Sequence, residues 1–183
     1  MLKMPSILLH SCCASCAIYT VKYLREQEFD VTALWYNPNI HPYTEHQRRL
    51  ESMRILNEKL CLPLIETEGY DMIEYFRRVV GHEGKRCSDC YTMRMERTAE
   101  IASQRNFDMF TTTLLISPYQ DQQLIEETGN SSAKEAGVEF YYHDFSDGFR
   151  ESHRLAREME LYLQKYCGCV YSEWERYARF KIQ

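Results

Sequence analysis

Short apolar runs alternate with longer amphipathic stretches along this chain, and the two periodicities predict different elements. Ser6–His10 (SILLH) and Val31–Tyr36 (VTALWY) are almost continuously apolar or β-branched, as strands covered on both faces must be. Leu64–Thr67 is a weaker strand, and Phe110–Ile116 (FTTTLLI) and Val138–Tyr142 (VEFYY) complete a five-strand set. Helical spacing occupies stretches near 15–27, 44–60, 70–80, 88–105 and 119–136, with Leu50, Met53, Leu56 and Leu60 as a stripe for burial. Asp30, Asp108 and Gly137 stand just before strands, where tight helix-to-strand links end. From about Asp144 the pattern is mostly helical, broken by CGC.

This alternation predicts an α/β fold: a Rossmann-like, mostly parallel sheet with helices on both faces. The 183 residues are expected to form one domain, 1–183, with 144–183 as its helical C-terminal part. A domain of that size buries roughly 70% of its unfolded surface and folds without staples. Sheets of this kind bind ligands beyond the carboxyl ends of their strands. His10–Cys16 (HSCCASC) follows the first strand, Asn37–Pro42 the second and Ser117–Gln120 the fourth, so all three are expected on one rim.

Composition narrows the chemistry. The net charge of −5 argues against a general electrostatic fit to nucleic acid or anionic membrane. No apolar run approaches the ~20 residues needed to span a bilayer, so no membrane partner is expected. MLKMPSILLHSCC lacks the apolar core and small-residue cleavage site of a signal peptide. The expectation is a cytoplasmic protein with reduced thiols, in which eight cysteines point to metal or redox chemistry. Neither GxGxxG nor GxxxxGKS/T occurs among the seven glycines, and HExxH is absent, so no nucleotide cofactor is expected.

The informative cysteines are Cys12-Cys13-x-x-Cys16, Cys87-x-x-Cys90 and Cys167-Gly-Cys169, while Cys61 between Leu60 and Leu62 reads as a small core residue. The Cys87–Cys90 spacing lets two sulfurs converge at a helix start, where the dipole favours thiolate. Zinc, an iron–sulfur cluster and a redox pair all use that motif. Adjacent Cys12 and Cys13 are more selective: neighbouring side chains diverge in helix or strand, which disfavours one tetrahedral zinc and favours a larger iron–sulfur cluster. Cys167 and Cys169 read either as a strained, easily reduced pair or as further ligands.

Residues 77–97 hold Arg77, Arg78, Lys85, Arg86, Arg94 and Arg97, and the C-terminus interleaves Trp174, Arg176, Tyr177, Arg179, Phe180 and Lys181. Basic and aromatic side chains together suit RNA phosphates and bases, although most charge runs are only solvated faces.

At this point the sequence resembles the QueH family of epoxyqueuosine reductases over nearly its whole length. The likeness rests on HSCCASC, YNPNIHPYTEHQRR, GKRCSDCYTMRMERTA, TTTLLISPYQ and DGFRES…YLQKYCGCVYS, five ordered blocks around three cysteine groups. The resemblance implies an ATP-pyrophosphatase-like sheet with cysteines in the loop where those enzymes carry a phosphate loop. It implies reduction of epoxyqueuosine at the tRNA wobble position to queuosine, the final step of queuosine biosynthesis. By position, Cys12, Cys13, Cys87 and Cys90 match the iron–sulfur ligands, the cluster being of the 4Fe–4S type. Cys167 and Cys169 match the pair read as a redox-active disulfide or added ligands. Cys16 stands where some members carry aspartate, which fits a ligand to an additional iron or a dispensable site. Asp89, Tyr91 and His10 are candidate proton donors by sequence proximity, and an external electron donor is required.

Overall fold

A computed structural model describes residues 4–178. Five strands form one parallel sheet: β1 (Ser6–His10), β2 (Asp30–Trp35), β3 (Leu64–Glu66), β4 (Met109–Thr112) and β5 (Glu139–Phe140), in the order β3-β2-β1-β4-β5. That order is the doubly wound Rossmann arrangement, with the first strand central. Ile7, Leu8 and Leu9 of β1 are fully buried because β2 and β4 flank the strand and helices cover both faces. Seven helices are described: α1 (Ala14–Glu26), α2 (Tyr43–Leu60), α3 (Met72–Val79), α4 (Arg86–Gln104), α5 (Gln122–Ala136), α6 (Phe149–Glu158) and α7 (Val170–Tyr177). Helix α1 packs on α2 and α6, whereas α4 packs on α3 and α5. Right-handed crossovers on either side of β1 put these two groups on opposite faces of the sheet. Gly148 lets α6 close onto α1, since a Cβ there would lie 2.0 Å from a Tyr19 ring carbon.

The predicted strands and helices are present, with local differences that have physical causes. The strand expected over 110–116 stops at Thr112, and Thr113–Ile116 winds into a 3₁₀ turn. Thr112 Oγ1 accepts the Leu114 N–H at 3.2 Å, offering the backbone an alternative to the sheet ladder. Strand β5 keeps only Glu139–Phe140 of the expected 138–142. Helix α5 begins at Gln122, not 119, because Asp121 caps it by accepting from Leu124 N at 3.0 Å. Beyond Asp144, α6 and α7 are helical, and the chain between them carries Gln164 and the CGC segment without helix or strand.

Candidate metal and active site

Three segments meet at the carboxyl rim of β1, as the strand pattern predicts. Asn37 Nδ2 donates to Ser11 O at 2.9 Å, and Cys12 N donates to Thr113 Oγ1 at 3.0 Å. Gln120 Nε2 reaches Cys167 Sγ at 3.6 Å. The rim is thus tied together through backbone and side-chain hydrogen bonds around the cysteines.

The sulfurs of Cys12, Cys13 and Cys16 all lie within 4.8 Å of one another, a spacing that can hold a metal ion. Cys12 and Cys13 do not diverge as expected, for their sulfurs are 3.6 Å apart. The divergence rule fails because Cys13 belongs to neither element: it is the extended N-cap of α1, at φ −172° and ψ 159°. Cys16, one turn into α1, then faces the same space. Gln164 Nε2 donates to Cys13 Sγ at 2.9 Å and lies 3.7 Å from Cys16 Sγ, while its carbonyl oxygen accepts from Ser15 Oγ at 2.9 Å. That last bond fixes which end of the amide meets sulfur.

Of the three thiols, Cys13 is the one whose ionisation is favoured. Burial opposes its charge, but hydrogen bonds from Cys12 and Cys16 favour the anion and hold its pKa well below the usual thiol value. Donation to Cys13 pushes Cys12 up to about 11, and Cys16 is raised too, through its hydrogen bonds to Cys12 and Cys13. One anion with two neutral thiols pointing at it is a state prepared for a cation.

Cys87 and Cys90 sit in the first turns of α4, Cys87 exposed and Cys90 buried. The helix dipole does not win there. Burial raises both pKa values, that of Cys90 to about 12. Among the described residues these two join no ligand group of three. Cys167 is exposed as a residue, yet its thiol is enclosed enough that burial raises its pKa. Cys169 caps α7, its sulfur accepting from Ser172 N at 3.3 Å, and both CGC cysteines are free thiols. Cys61 is exposed, in a left-handed conformation (φ 48°) closing α2, and is not the core residue its apolar neighbours suggested. The end of a helix, not a buried stripe, decided its place.

The basic run of 77–97 is only partly a free cationic face: Arg77 and Lys85 are exposed, and the other four are engaged or buried. Arg78 pairs with Glu74 and Glu96, Arg97 with Glu100, and Arg86 with Glu175 at 2.5 Å. Arg94 is only 1% exposed. Its Nε donates to Cys90 O at 3.0 Å, and its Nη2 is buried without a hydrogen-bond partner. Burial opposes its charge, but Cys90, Cys167 and Cys12 outweigh this and hold its pKa above the ordinary value. A buried guanidinium with sulfurs for neighbours is a functional feature that the sequence reading missed. Its spacing of four from Cys90, one helical turn, was the available signal. Arg179, Phe180 and Lys181 lie outside the described residues.

The three proposed proton donors occupy different settings. His10 is fully buried, bonded to Thr112 Oγ1 at 2.9 Å and Tyr36 O at 3.1 Å, and burial followed by the Arg94 charge lowers its pKa to about 4. It is a neutral structural imidazole. Asp89 Oδ2 is buried without a hydrogen-bond partner, with His82 Nδ1 at 3.9 Å. Tyr91 donates its hydroxyl to Gln120 Oε1 at 2.7 Å, and the Gln120 amide reaches Cys167. A cleft of about 560 Å³ lined by Tyr36, Glu74, Arg78 and Glu96 contains no cysteine and lies outside this constellation.

A parallel, doubly wound sheet with a thiol triad close enough to hold a metal ion on its carboxyl rim defines an α/β protein whose cysteines stand where such folds bind ligands. A solved structure described as a predicted subunit of a tRNA methyltransferase from Methanocaldococcus jannaschii shares the fold, with a TM-score of 0.54 at 10% identity over 84% of this chain and 75% of that one. The family model described as epoxyqueuosine reductase QueH matches residues 7–175, and the chain belongs to that family. Relatives named epoxyqueuosine reductase QueH include one from Dehalococcoides mccartyi, 44% identical over 96% of each chain. Another, from Thermotoga maritima, is 35% identical over 94% of this chain and 93% of its own. One from Streptococcus pyogenes is 37% identical over 92% of this chain and 70% of its own.

Proposed function

We infer that this chain is an epoxyqueuosine reductase: it removes the epoxide oxygen of epoxyqueuosine in tRNA and leaves the alkene of queuosine, the final step of queuosine biosynthesis. The observation that carries this reading is the family match over residues 7–175, which spans all three cysteine groups. Each turnover takes two electrons and two protons. Both C–O bonds break, the alkene forms, and the oxygen leaves as water.

The residues present fit an iron–sulfur group. Three sulfurs within 4.8 Å and a buried guanidinium with an unpartnered N–H suit a thiolate-ligated centre that carries net negative charge. Cys12, Cys13, Cys87 and Cys90 would hold a cluster of the 4Fe–4S type, and Cys16 would ligate an additional iron. When bound, that group supplies electrons and a Lewis-acidic position for oxygen. Gln164 orients the Cys13 sulfur, and Arg94 balances the charge of the thiolates. Tyr91, a phenol protonated at neutral pH and kept so by burial, is the donor connected through Gln120 to the Cys167 sulfur. Cys167 and Cys169 can supply two electrons and two protons by closing a disulfide, which an external electron donor then reopens. A tRNA substrate and chemistry that needs reduced thiols support a cytoplasmic location. Among the described residues no helix is long and apolar enough to cross a membrane.

Anaerobic incubation with epoxyqueuosine-containing tRNA and a chemical reductant, followed by nucleoside mass spectrometry, tests the activity. Queuosine is expected, and its absence with iron-loaded protein overturns the reading. Iron and sulfide analysis tests the cluster, and a protein that retains only zinc removes it. Full multiple turnover by Cys167→Ser or Cys169→Ser would remove the dithiol step.

A further inference from the structure

An RNA substrate needs cations to meet its phosphates and rings to meet its bases, and α4 offers neither freely. Arg86 and Arg97 are paired with carboxylates, as is Arg78 of α3, and Arg94 is buried, while the exposed Arg77 and Lys85 do not line the cleft between α2 and α7. Arg48 and Lys165 are different. Both are exposed, and among the described residues neither has a carboxylate within ion-pair distance. They line one cleft of about 390 Å³ between the start of α2, the segment before CGC, and α7, together with Tyr162, Tyr166 and Tyr177.

The floor of this cleft is rigid. Tyr162 donates its hydroxyl to Glu45 Oε2 at 2.8 Å, and the Arg48 guanidinium lies 4.6 Å above its ring. Two carboxylates line the cleft: Arg49 neutralises Glu45 at 2.8 Å, so only Glu173 opposes an incoming anion, against the two cations Arg48 and Lys165. Tyr166 donates its hydroxyl to His41 O at 2.5 Å and lies beneath the Arg49 guanidinium at 5.4 Å. Tyr177, on the opposite wall, is 59% exposed. Tyr166 is also the residue directly before Cys167, so the cleft adjoins the thiol site along the chain. Fixed aromatic faces with two unpaired cations are the chemistry that holds a single-stranded nucleotide: the base stacks and the phosphate meets charge.

We propose that this cleft binds a nucleotide of the tRNA adjacent to the one being reduced, its base against Tyr177 and its phosphate on Arg48 and Lys165. The inference rests on the reading that the substrate is epoxyqueuosine in tRNA, and it adds where the neighbouring nucleotide sits.

The test is binding of an unmodified anticodon-arm stem–loop RNA by fluorescence anisotropy across a salt series, with nucleoside turnover on whole tRNA measured in parallel. Replacing both cations, Arg48→Gln with Lys165→Gln, should raise Kd by roughly tenfold and reduce the salt slope by about 0.7, the share of one single-strand phosphate contact. Tyr177→Ala should raise Kd by at least about fivefold, and Tyr177→Phe should restore it, because stacking needs the ring and not the hydroxyl. All these positions are at the surface, and thermal melting verifies that the variants fold. Unchanged Kd and salt slope in the charge variant overturn the proposal, as does a Tyr177→Phe protein as weak as Tyr177→Ala. Wild-type turnover alongside unchanged variant binding removes the cleft alone. A wild-type protein that binds RNA here but reduces no epoxyqueuosine removes the functional reading instead.

Discussion

Arg49 and Arg94 are each 1% exposed, and they face opposite circumstances. Arg49 is fully engaged: Nε on Glu45 at 2.8 Å, Nη1 on Cys167 O at 2.8 Å and Nη2 on Tyr166 O at 3.1 Å. Arg94 has one carbonyl, Cys90 O, and a bare Nη2. The first fastens the CGC segment to α2. The second is a buried charge whose anions are sulfurs, and those sulfurs are anionic only when they bind a cation. Equal burial therefore serves chiefly the fold in one case, though the Arg49 charge also favours the Cys13 anion, and the site alone in the other. Arg49→Met should have the largest effect on stability, because it leaves Glu45 buried without its partner. A loss of about 3–5 kcal/mol is expected, lowering Tm by roughly 6–20 °C for a chain of this size. Calorimetry checks this, and a wild-type melting curve would erase the distinction between the two arginines.

The opposite behaviour is expected of Arg94→Met. At neutral pH the metal-free protein keeps Cys90 and Cys167 protonated, since burial raises both, so the Arg94 charge lacks a counter-charge. Removing it should leave the Tm of the metal-free protein unchanged or raise it by a few degrees. Affinity for cobalt(II), read from thiolate-to-metal absorption, should fall by roughly 10- to 100-fold, as for other groups just outside the ligands. If Arg94→Met instead melts far lower with unaltered cobalt binding, Arg94 is a second Arg49.

Neither role was legible in the sequence. Arg94 looked like one more cation of a basic run, because charge composition says nothing about which face of α4 enters the core. Arg49, in QRR, carried no pattern at all. The sheet was legible, since Ile7–Leu9 is apolar throughout and Val31–Trp35 is broken only by β-branched Thr32, as in strands covered on both faces. The rim was legible for the same reason: strand ends fix where loops emerge. What failed was side-chain direction off regular elements. Cys12 and Cys13 were expected to diverge because helix and strand periodicities say so, and the extended cap between the two elements obeys neither. Gln164 reaches Cys13 across 151 positions of sequence, a distance at which no local rule operates.

Gln164 supplies a finer test of the thiol side of the comparison. Gln164→Leu removes the N–H donor to Cys13 and leaves Ser15 Oγ without its acceptor. The expected cost is about 1 kcal/mol, near a fivefold loss of cobalt affinity, with little change in melting. Gln164→Glu should cost more, because a carboxylate would then face the Cys13 thiolate.

On the Arg49 side, acid titration gives a smaller effect. His46 accepts the Trp35 Nε1–H at 3.1 Å, and burial, then the Arg49 charge, lowers its pKa to about 4. The unfolded chain takes up this proton near pH 6.5, and the folded one refuses it until about 4. Stability is therefore full above 6.5 and declines as pH falls toward 4. The decline should reach on the order of 1 kcal/mol by pH 5. His46→Gln, whose side-chain oxygen can still accept from Trp35, should make that limb of the melting profile shallower by the share of His46, with His10 and His41 keeping theirs. An unaltered acid limb would assign the proton uptake elsewhere.

The smallest effect is expected at Cys61, the cysteine remote from both arginines. Its left-handed backbone (φ 48°, ψ 47°) costs an L-residue energy that glycine avoids, partly offset by the extra freedom glycine gives the unfolded chain. Cys61→Gly should therefore stabilise by up to about 1 kcal/mol and leave cobalt binding untouched. In the cobalt-loaded wild type, iodoacetamide should modify Cys61 first, because the sulfurs that bind metal are withheld. In the metal-free protein, Cys87 and Cys167, both exposed, should react as well. Peptide mass mapping of the two states separates the thiols that Arg94 serves from the one that merely ends a helix. Protection of Cys61 by cobalt would break that separation.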